Sequence, residues 1–246
     1  MAEKRNWLLL TSLGILLVLG IIFRPEFGKI PSQTGFGANV GSREETFDSG
    51  QLILPEENAT EIKATEEKMA NKQVESGWAT PPEMTIDQAK DYRAVLFTSK
   101  GRIVIDLAEK TTPITVNNFV FLANQGFYNG VIFHRVIEGF MIQGGCPNGD
   151  GTGGPGYQFA DESFEGQYVR GIVAMANSGP NTNGSQFFIM HQDYNLLPDY
   201  VIFGQVVEGM EVVDKIATAS VEANSFGENS SPVNPVAISR VEVVAE

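Results

Sequence analysis

Seventeen consecutive residues, Trp7 to Phe23, carry no charge and read WLLLTSLGILLVLGIIF. Such a run is foreign to a soluble domain, whereas about 17–25 apolar residues are what a bilayer-crossing helix requires. Lys4 and Arg5 precede it, as they would in a cleavable leader. A leader, however, ends in small residues of the A-x-A type. This run ends Gly20-Ile21-Ile22-Phe23-Arg24-Pro25. Residues 1–23 are therefore read as a single transmembrane anchor, with a signal segment as the alternative. The positive-inside rule puts Lys4 and Arg5 in the cytoplasm and the remainder outside it, at the cell membrane or its periplasmic or extracellular face.

From residue 24 to residue 88 acidic residues outnumber basic ones, and Gly, Ser, Thr, Asn and Pro recur. Ile62 and Met69 are almost the only large apolar residues between Glu56 and Lys72, too few for a helical stripe that could bury a face. This zone reads as a flexible acidic linker, ended stiffly by Pro81-Pro82. The whole chain of 246 residues carries a net charge of −13, which argues against nucleic-acid binding, because phosphate contacts need clustered Lys and Arg. One cysteine, Cys146, excludes an intrachain disulfide framework and any multi-cysteine metal site. With only His134 and His191 beside it, neither a metal nor a cofactor is expected.

Residues 89–246 have the pattern of a globular domain. Arg93–Thr98 is rich in β-formers, Ser99-Lys100-Gly101 is a turn, and Ile103, Ile105 and Leu107 alternate with Arg102, Val104 and Asp106, as in a hairpin. A helix follows, with Thr112 as cap, Pro113 at its first position and Gly126 past its end. Val116, Phe119, Val120, Leu122 and Ala123 form its apolar face. Ten glycines then fall in the 31 residues from Gly126 to Gly156. Short β runs occupy 171–176, 186–190, 200–206 and 236–244, and Glu211–Ala217 reads as a second helix. Several short strands with two helices imply a mainly β domain, an antiparallel barrel or sandwich with helical caps, not a βαβ array.

Three constellations invite chemistry. Gly149-Asp-Gly151-Thr-Gly153-Gly154 fits G-x-G-x-x-G, but Pro155-Gly-Tyr-Gln-Phe cannot open the long helix that nucleotide binding needs, so the glycines read as a tight surface loop. Cys146 with His134 or His191 could be a nucleophile pair, though a lone cysteine is more often a small buried hydrophobe. Ser185, in Asn-Gly-Ser-Gln, is not in a G-x-S-x-G elbow. Arg135 stands in the strand-like run Val131–Gly145, where alternation puts it on one face with Phe133 and Ile137. An arginine there needs a carboxylate or has a use. A second run, Met175 to Ile189, places Asn177, Gln186 and Phe188 around a turn-rich loop.

Six motifs follow one another in the domain: Phe133-His134-Arg135-Val136, Gly139-Phe-Met-Ile-Gln-Gly-Gly145, Gly151-Thr-Gly-Gly154, Met175-Ala-Asn177, Asn181-Thr-Asn-Gly-Ser-Gln-Phe-Phe-Ile189 and Val201-Ile-Phe-Gly204. By these motifs the chain resembles, from about Ala94 to Val244, the cyclophilins, peptidyl-prolyl cis–trans isomerases. The resemblance implies an eight-stranded antiparallel barrel capped by two helices. It makes Arg135 the catalytic residue and Phe140, Met141, Phe188 and Leu196 the walls of a proline pocket. Gln143 and Asn177 would hydrogen-bond the peptide backbone, and His134, Ala176, Gln186 and Tyr200 would complete the lining. Many eukaryotic members carry tryptophan just before the position of Leu196; here Asn195 stands there, and Trp7 and Trp78 both fall outside residues 89–246. That implies weak or no cyclosporin binding. The segment Gln192–Tyr200 is more like bacterial members.

The expected function is isomerisation of X–Pro bonds in unfolded or extended polypeptides, by a monomer that assists folding outside the cytoplasm and is held to the membrane by its N-terminal helix. No bond breaks in that reaction, so no nucleophile is needed. The alternatives are a non-catalytic module that binds proline-containing segments and a hydrolase using Cys146.

Overall fold

The structure, a computed structural model, describes residues 77–246. The expected anchor, residues 1–23, and the linker up to residue 76 lie outside the described residues. Among those described, no helix is long and apolar enough to cross a membrane.

The first strands form the expected hairpin: β1 (Tyr92–Thr98) and β2 (Gly101–Leu107), with Thr98 opposite Gly101. Helix α1 (Pro113–Asn124) follows, then β3 (Arg135–Ile137), β4 (Met141–Gly144), β5 (Ile172–Met175), β6 (Phe187–Met190) and β7 (Ile202–Glu208). Helix α2 (Met210–Ala217), the short strands β8 (Val221–Ala223) and β9 (Asn229–Pro232), and β10 (Ile238–Ala245) complete the described chain. Eight strands make one antiparallel sheet in the order β10-β1-β2-β7-β5-β6-β4-β3. The sheet curls until its edges meet. Gly130 and Phe133 donate their N–H groups to Ile238 and Val236, at 2.7 and 3.0 Å, and Ile238 donates to Val131 at 2.8 Å. These bonds join the start of β10 to the segment that leads into β3. The barrel-like sheet with two helices is the architecture the sequence implied. The separate β8–β9 hairpin was not anticipated; it packs against β3.

Helix α1 begins and ends where expected, but its N-terminus is satisfied differently. Thr112 makes no side-chain cap; its buried hydroxyl donates to Ile202 O at 3.1 Å. Glu162, from a distant loop, accepts the N–H groups of Ile114 (2.9 Å) and Thr115 (2.6 Å) instead. A carboxylate is the stronger choice there, since it meets both the free N–H groups and the positive end of the helix dipole. The helix is buried on more than its apolar face. Asn118 Nδ2 donates to Gly184 O at 2.8 Å, and Asn117 Oδ1 accepts the N–H of Thr85 at 2.8 Å.

That last bond corrects the domain boundary. Residue 89 was the expected start, yet Ile86 is buried in the core, and Trp78 meets the rings of Phe121 and Phe127 with centroids 5.3 and 6.0 Å apart. Trp78 N–H also donates to Pro155 O at 3.1 Å. The polar, proline-punctuated sequence of 77–88 masked two apolar side chains with sites to fill on α1. Trp78 thus belongs to the domain, on the α1 side, and not beside Leu196.

Strand parity divides the apolar residues into two clusters. Ile142, Phe187, Ile189, Val173, Met175 and Phe203 point into the barrel with Phe119, Tyr128 and Phe133. Met141, Phe188, Met190, Ala174 and Ile202, their sequence neighbours, point outward and form a second cluster with Tyr168. Successive side chains on a strand take opposite faces, so a run such as Phe187-Phe188-Ile189-Met190 supplies both.

Candidate functional site

The outward cluster is the floor of the site. Met141 and Phe188 are buried in it, and Phe140, Leu196, Ala176 and Tyr200 pack against it from the rim. Phe188 meets the Tyr200 ring edge-on, with centroids 5.5 Å apart. The Tyr168 hydroxyl donates to Tyr200 O at 2.8 Å and accepts the Tyr200 N–H at 3.0 Å, which fixes that wall. Phe140 stacks at a tilt on Tyr194, centroids 4.5 Å apart. The four residues assigned to the proline pocket are therefore brought together on one apolar patch.

Arg135 opens β3 and pairs across the ladder with Gln143 of β4. It does not share a face with Phe133, as simple alternation suggested: Phe133 is sealed in the barrel core. The pleat breaks between them. Phe133 still donates to Val236 at 3.0 Å, whereas His134 already donates to Gln143 O at 3.0 Å, as the chain exchanges one neighbour for another.

A directed chain of hydrogen bonds runs from Arg135. Its Nη1 donates to Gln143 Oε1 at 3.4 Å; Gln143 Nε2 donates to Gln186 Oε1 at 3.0 Å; Gln186 Nε2 donates to the carbonyls of Gly151 (2.8 Å) and Gly153 (2.9 Å). Arginine can only donate and a carbonyl can only accept, so the two ends fix the orientation of both amides. The approach of Gln143 to Gln186 depends on Gly145. Its φ is +85°, and a Cβ there would lie 2.3 Å from Ser185 O. Gln143, Ala176, Asn177 and Gln186 also line a groove of about 550 Å³ beside the glycine loop. The Asn177 side chain ties two other loops together: Nδ2 donates to Asp199 O at 2.8 Å and Oδ1 accepts the Gly179 N–H at 3.2 Å.

His134 lies beside Gly151, with neither ring nitrogen hydrogen-bonded within the protein, and burial holds its pKa below the ordinary value. The glycine loop is the tight turn expected, with Gly149 and Gly151 at φ of +70° and +85°. Cys146 is buried; its Sγ accepts the Gly153 N–H at 3.2 Å and approaches Asp150 Oδ1 at 3.8 Å. His191 is committed elsewhere, its Nδ1 accepting the Gly139 N–H at 2.9 Å.

One residue at the site escaped the sequence reading. Glu228, at the end of the β8–β9 turn, accepts Arg135 Nε–H at 2.7 Å and Nη2–H at 2.9 Å. The Arg135 guanidinium beside it holds its carboxyl below the usual carboxylate range. The need for a carboxylate near Arg135 was legible; its position 93 residues away was not.

Comparison with known proteins places these features. The family described as cyclophilin type peptidyl-prolyl cis-trans isomerase/CLD matches residues 94–243. The chain is similar to a probable peptidyl-prolyl cis-trans isomerase B of Mycobacterium tuberculosis, 44% identical over 163 residues that cover 59% of this chain and 52% of that one. It thus spans about half the length of that relative (52%). A peptidyl-prolyl cis-trans isomerase of Helicobacter pylori is 47% identical over 133 residues, covering 52% of this chain and 82% of that one. A crystal structure of a cyclophilin type peptidyl-prolyl cis-trans isomerase from Cryptosporidium parvum superposes with a TM-score of 0.59 at 34% identity, covering 63% of this chain and 99% of that one. The same protein in the presence of the dipeptide Ala-Pro gives a TM-score of 0.58.

Proposed function

The chain belongs to the cyclophilin-type peptidyl-prolyl cis–trans isomerase family, and on that basis we propose that it catalyses rotation about X–Pro bonds with Arg135 as the catalytic residue. The observation that carries this reading is the placing of a half-buried guanidinium, bonded to Gln143, beside the apolar patch of Phe140, Met141 and Phe188. The relative studied in the presence of Ala-Pro supports a proline-containing ligand for that patch.

The physics sets the task. Resonance gives the peptide C–N bond a rotation barrier of about 18–20 kcal/mol. X–Pro bonds populate both isomers, yet they exchange in roughly 10–100 s. As the bond twists, resonance is lost and the imide nitrogen becomes pyramidal, with a lone pair that accepts a hydrogen bond. A guanidinium donates to it without titrating near neutrality. The planar ground state offers no such acceptor, so the interaction favours the twisted state selectively. An acceleration of about 10⁵ requires about 7 kcal/mol. One charged hydrogen bond supplies about 1.5–3 kcal/mol net. The remainder falls to positioning: the apolar patch holds the ring while Gln143 and the main chain at Asn177 fix the flanking peptide.

The uncharged run Trp7–Phe23 supports a membrane-anchored enzyme acting on extended chains outside the cytoplasm, and its orientation is testable by protease protection of intact cells. Asn195, exposed beside Leu196, supports weak or no inhibition by cyclosporin.

The decisive experiment is NMR exchange spectroscopy on an Ala-Pro peptide with the full chain, wild type beside Arg135→Ala. Rapid exchange is expected with wild type, and exchange slowed by roughly 10–150-fold with Arg135→Ala. Binding shifts without accelerated exchange would replace this reading with a module that only holds proline segments. Activity abolished by a thiol-alkylating reagent would point to Cys146.

A further inference from the structure

An isolated arginine is a poor catalytic tool. Its long side chain has many rotamers, and fixing it costs more conformational entropy than fixing most residues. Arg135 is fixed from outside its own sheet. The Glu228 carboxylate takes the Nε–H and one Nη2–H in a fork-on-fork pair, at 2.7 and 2.9 Å. Such bidentate pairing adds directional control to charge attraction. With that edge engaged, the Nη1 side remains, turned toward Gln143 at 3.4 Å.

Glu228 is itself held by a constructed turn. Asn224 Oδ1 accepts the N–H groups of Phe226 (2.9 Å) and Glu228 (3.0 Å), Asn224 N–H donates to Glu228 O at 2.8 Å, and Asn224 Nδ2 donates to Ser230 Oγ at 3.1 Å. Gly227 takes a φ of +80°, and Ser230 is buried. The hairpin lies against β3, the strand that carries Arg135. The carboxylate is thus delivered by a braced turn and not by a mobile loop end.

We propose that Glu228 is a positioning residue: through its two-point grip it aims the Nη1 donors of Arg135 at the imide nitrogen of the bound X–Pro bond. This rests on the isomerase reading above and adds to it a residue outside the motifs on which that reading was built. A second use of the ion pair, merely fastening the β8–β9 hairpin to the barrel, predicts different behaviour.

A double-mutant cycle in the full chain separates the two, with exchange of an Ala-Pro peptide as the readout. Glu228→Ala is expected to lower kcat by roughly tenfold to a hundredfold with KM little changed, the scale of a catalytic group displaced by about 1 Å. In the Arg135→Ala background the same change should cost nothing further, because residues acting as a unit are not additive. Glu228→Gln, which keeps one acceptor and the side-chain shape, should fall between. The Arg135 Nε–H resonance should exchange with solvent faster in Glu228→Ala than in wild type. An unaltered rate in Glu228→Ala would overturn the inference and leave the isomerase reading standing. So would an equal loss in both backgrounds, which would make the residue structural. A wild-type chain that does not accelerate exchange would remove both.

Discussion

The barrel interior and the outward cluster are built from the same strands and differ in how they end. Inside, Phe119, Phe133, Phe187 and Phe203 are completely buried and meet one another and Tyr128 at centroid distances of 5.0 to 6.4 Å. Outside, Met141 and Phe188 are buried as well, but the rim residues Phe140, Leu196 and Tyr200 remain partly exposed, and Arg135, Gln143 and Gln186 border them. An antiparallel sheet commonly has one apolar and one solvated face. Strand β6, Phe187–Met190, is buried at every position, so its second face has been covered by the protein itself. One parity of that strand fills the barrel, and the other forms the buried floor of the outer patch, on whose partly exposed rim the proposed ligand would rest.

The sharpest way to break this comparison is to truncate a side chain on each face and compare stability with activity. Phe187→Ala should cost about 3–5 kcal/mol in chemical denaturation, the range for a large aromatic removed from a sealed core, while activity per folded molecule changes little. A comparable cost with activity lost in proportion would mean that the two faces are not separable. Next in size is removal of residues 77–88. Losing Trp78 and Ile86 from the interior side should cost about 2–4 kcal/mol, from about 1.5–3 kcal/mol for each fully buried large apolar side chain, less what Trp78 keeps exposed. The fragment 89–246 should then melt well below 77–246 yet still accelerate exchange. The outer face should show the reverse signature. Arg135→Ala should lower kcat/KM by roughly 10–150-fold, the equivalent of about 1.5–3 kcal/mol for a charged hydrogen bond. Its denaturation midpoint should scarcely move, because the Glu228 left behind is 39% exposed and can be hydrated.

The same division explains what the sequence disclosed. Local order was legible wherever neighbours in sequence are neighbours in space. The β1–β2 hairpin turns at Ser99-Lys100, α1 is bounded by Pro113 and Gly126, and Arg135 meets Gln143 eight residues away across a tight hairpin. The family resemblance singled out Phe140, Met141, Phe188 and Leu196, and the fold gathers these four on one patch. What stayed hidden crosses long stretches of chain. Glu162 caps α1 from 47 residues away, and Glu228 reaches Arg135 from 93. Strands β8 and β9 read Val-Glu-Ala and Asn-Ser-Ser-Pro, with no alternation to announce them. Their register is set by the Asn224 turn and by packing on β3, neither of which leaves a periodic trace. Trp78 and Ile86 were hidden by composition, since two apolar residues among prolines and acids resemble a linker until the surface they cover is known.

The smallest expected effect tests whether the outer face contributes to stability at all. Glu228 is faced by Arg135 from β3 and by Ser230 from its own hairpin, and the bond from Arg135 is the main reason its carboxyl titrates below the ordinary value of 4.5. A carboxyl with a depressed folded-state pKa adds stability above its unfolded pKa and loses it as the pH falls through the folded one. The contribution of Glu228 is therefore fully present at neutrality and disappears in acid below about 4.5. With side chains 33% and 39% exposed, the pair is screened by solvent, and its worth is under about 1 kcal/mol. Other carboxylates with depressed pKa values, such as Asp214 beside Arg170, titrate in the same range, so wild type must be read against Glu228→Gln. The stability gap between the two, followed by urea denaturation, should be small at pH 7 and close on acidification. A gap of several kcal/mol at neutrality would show that the ion pair holds the fold as well as the arginine, and the outer face would then be as structural as the barrel interior.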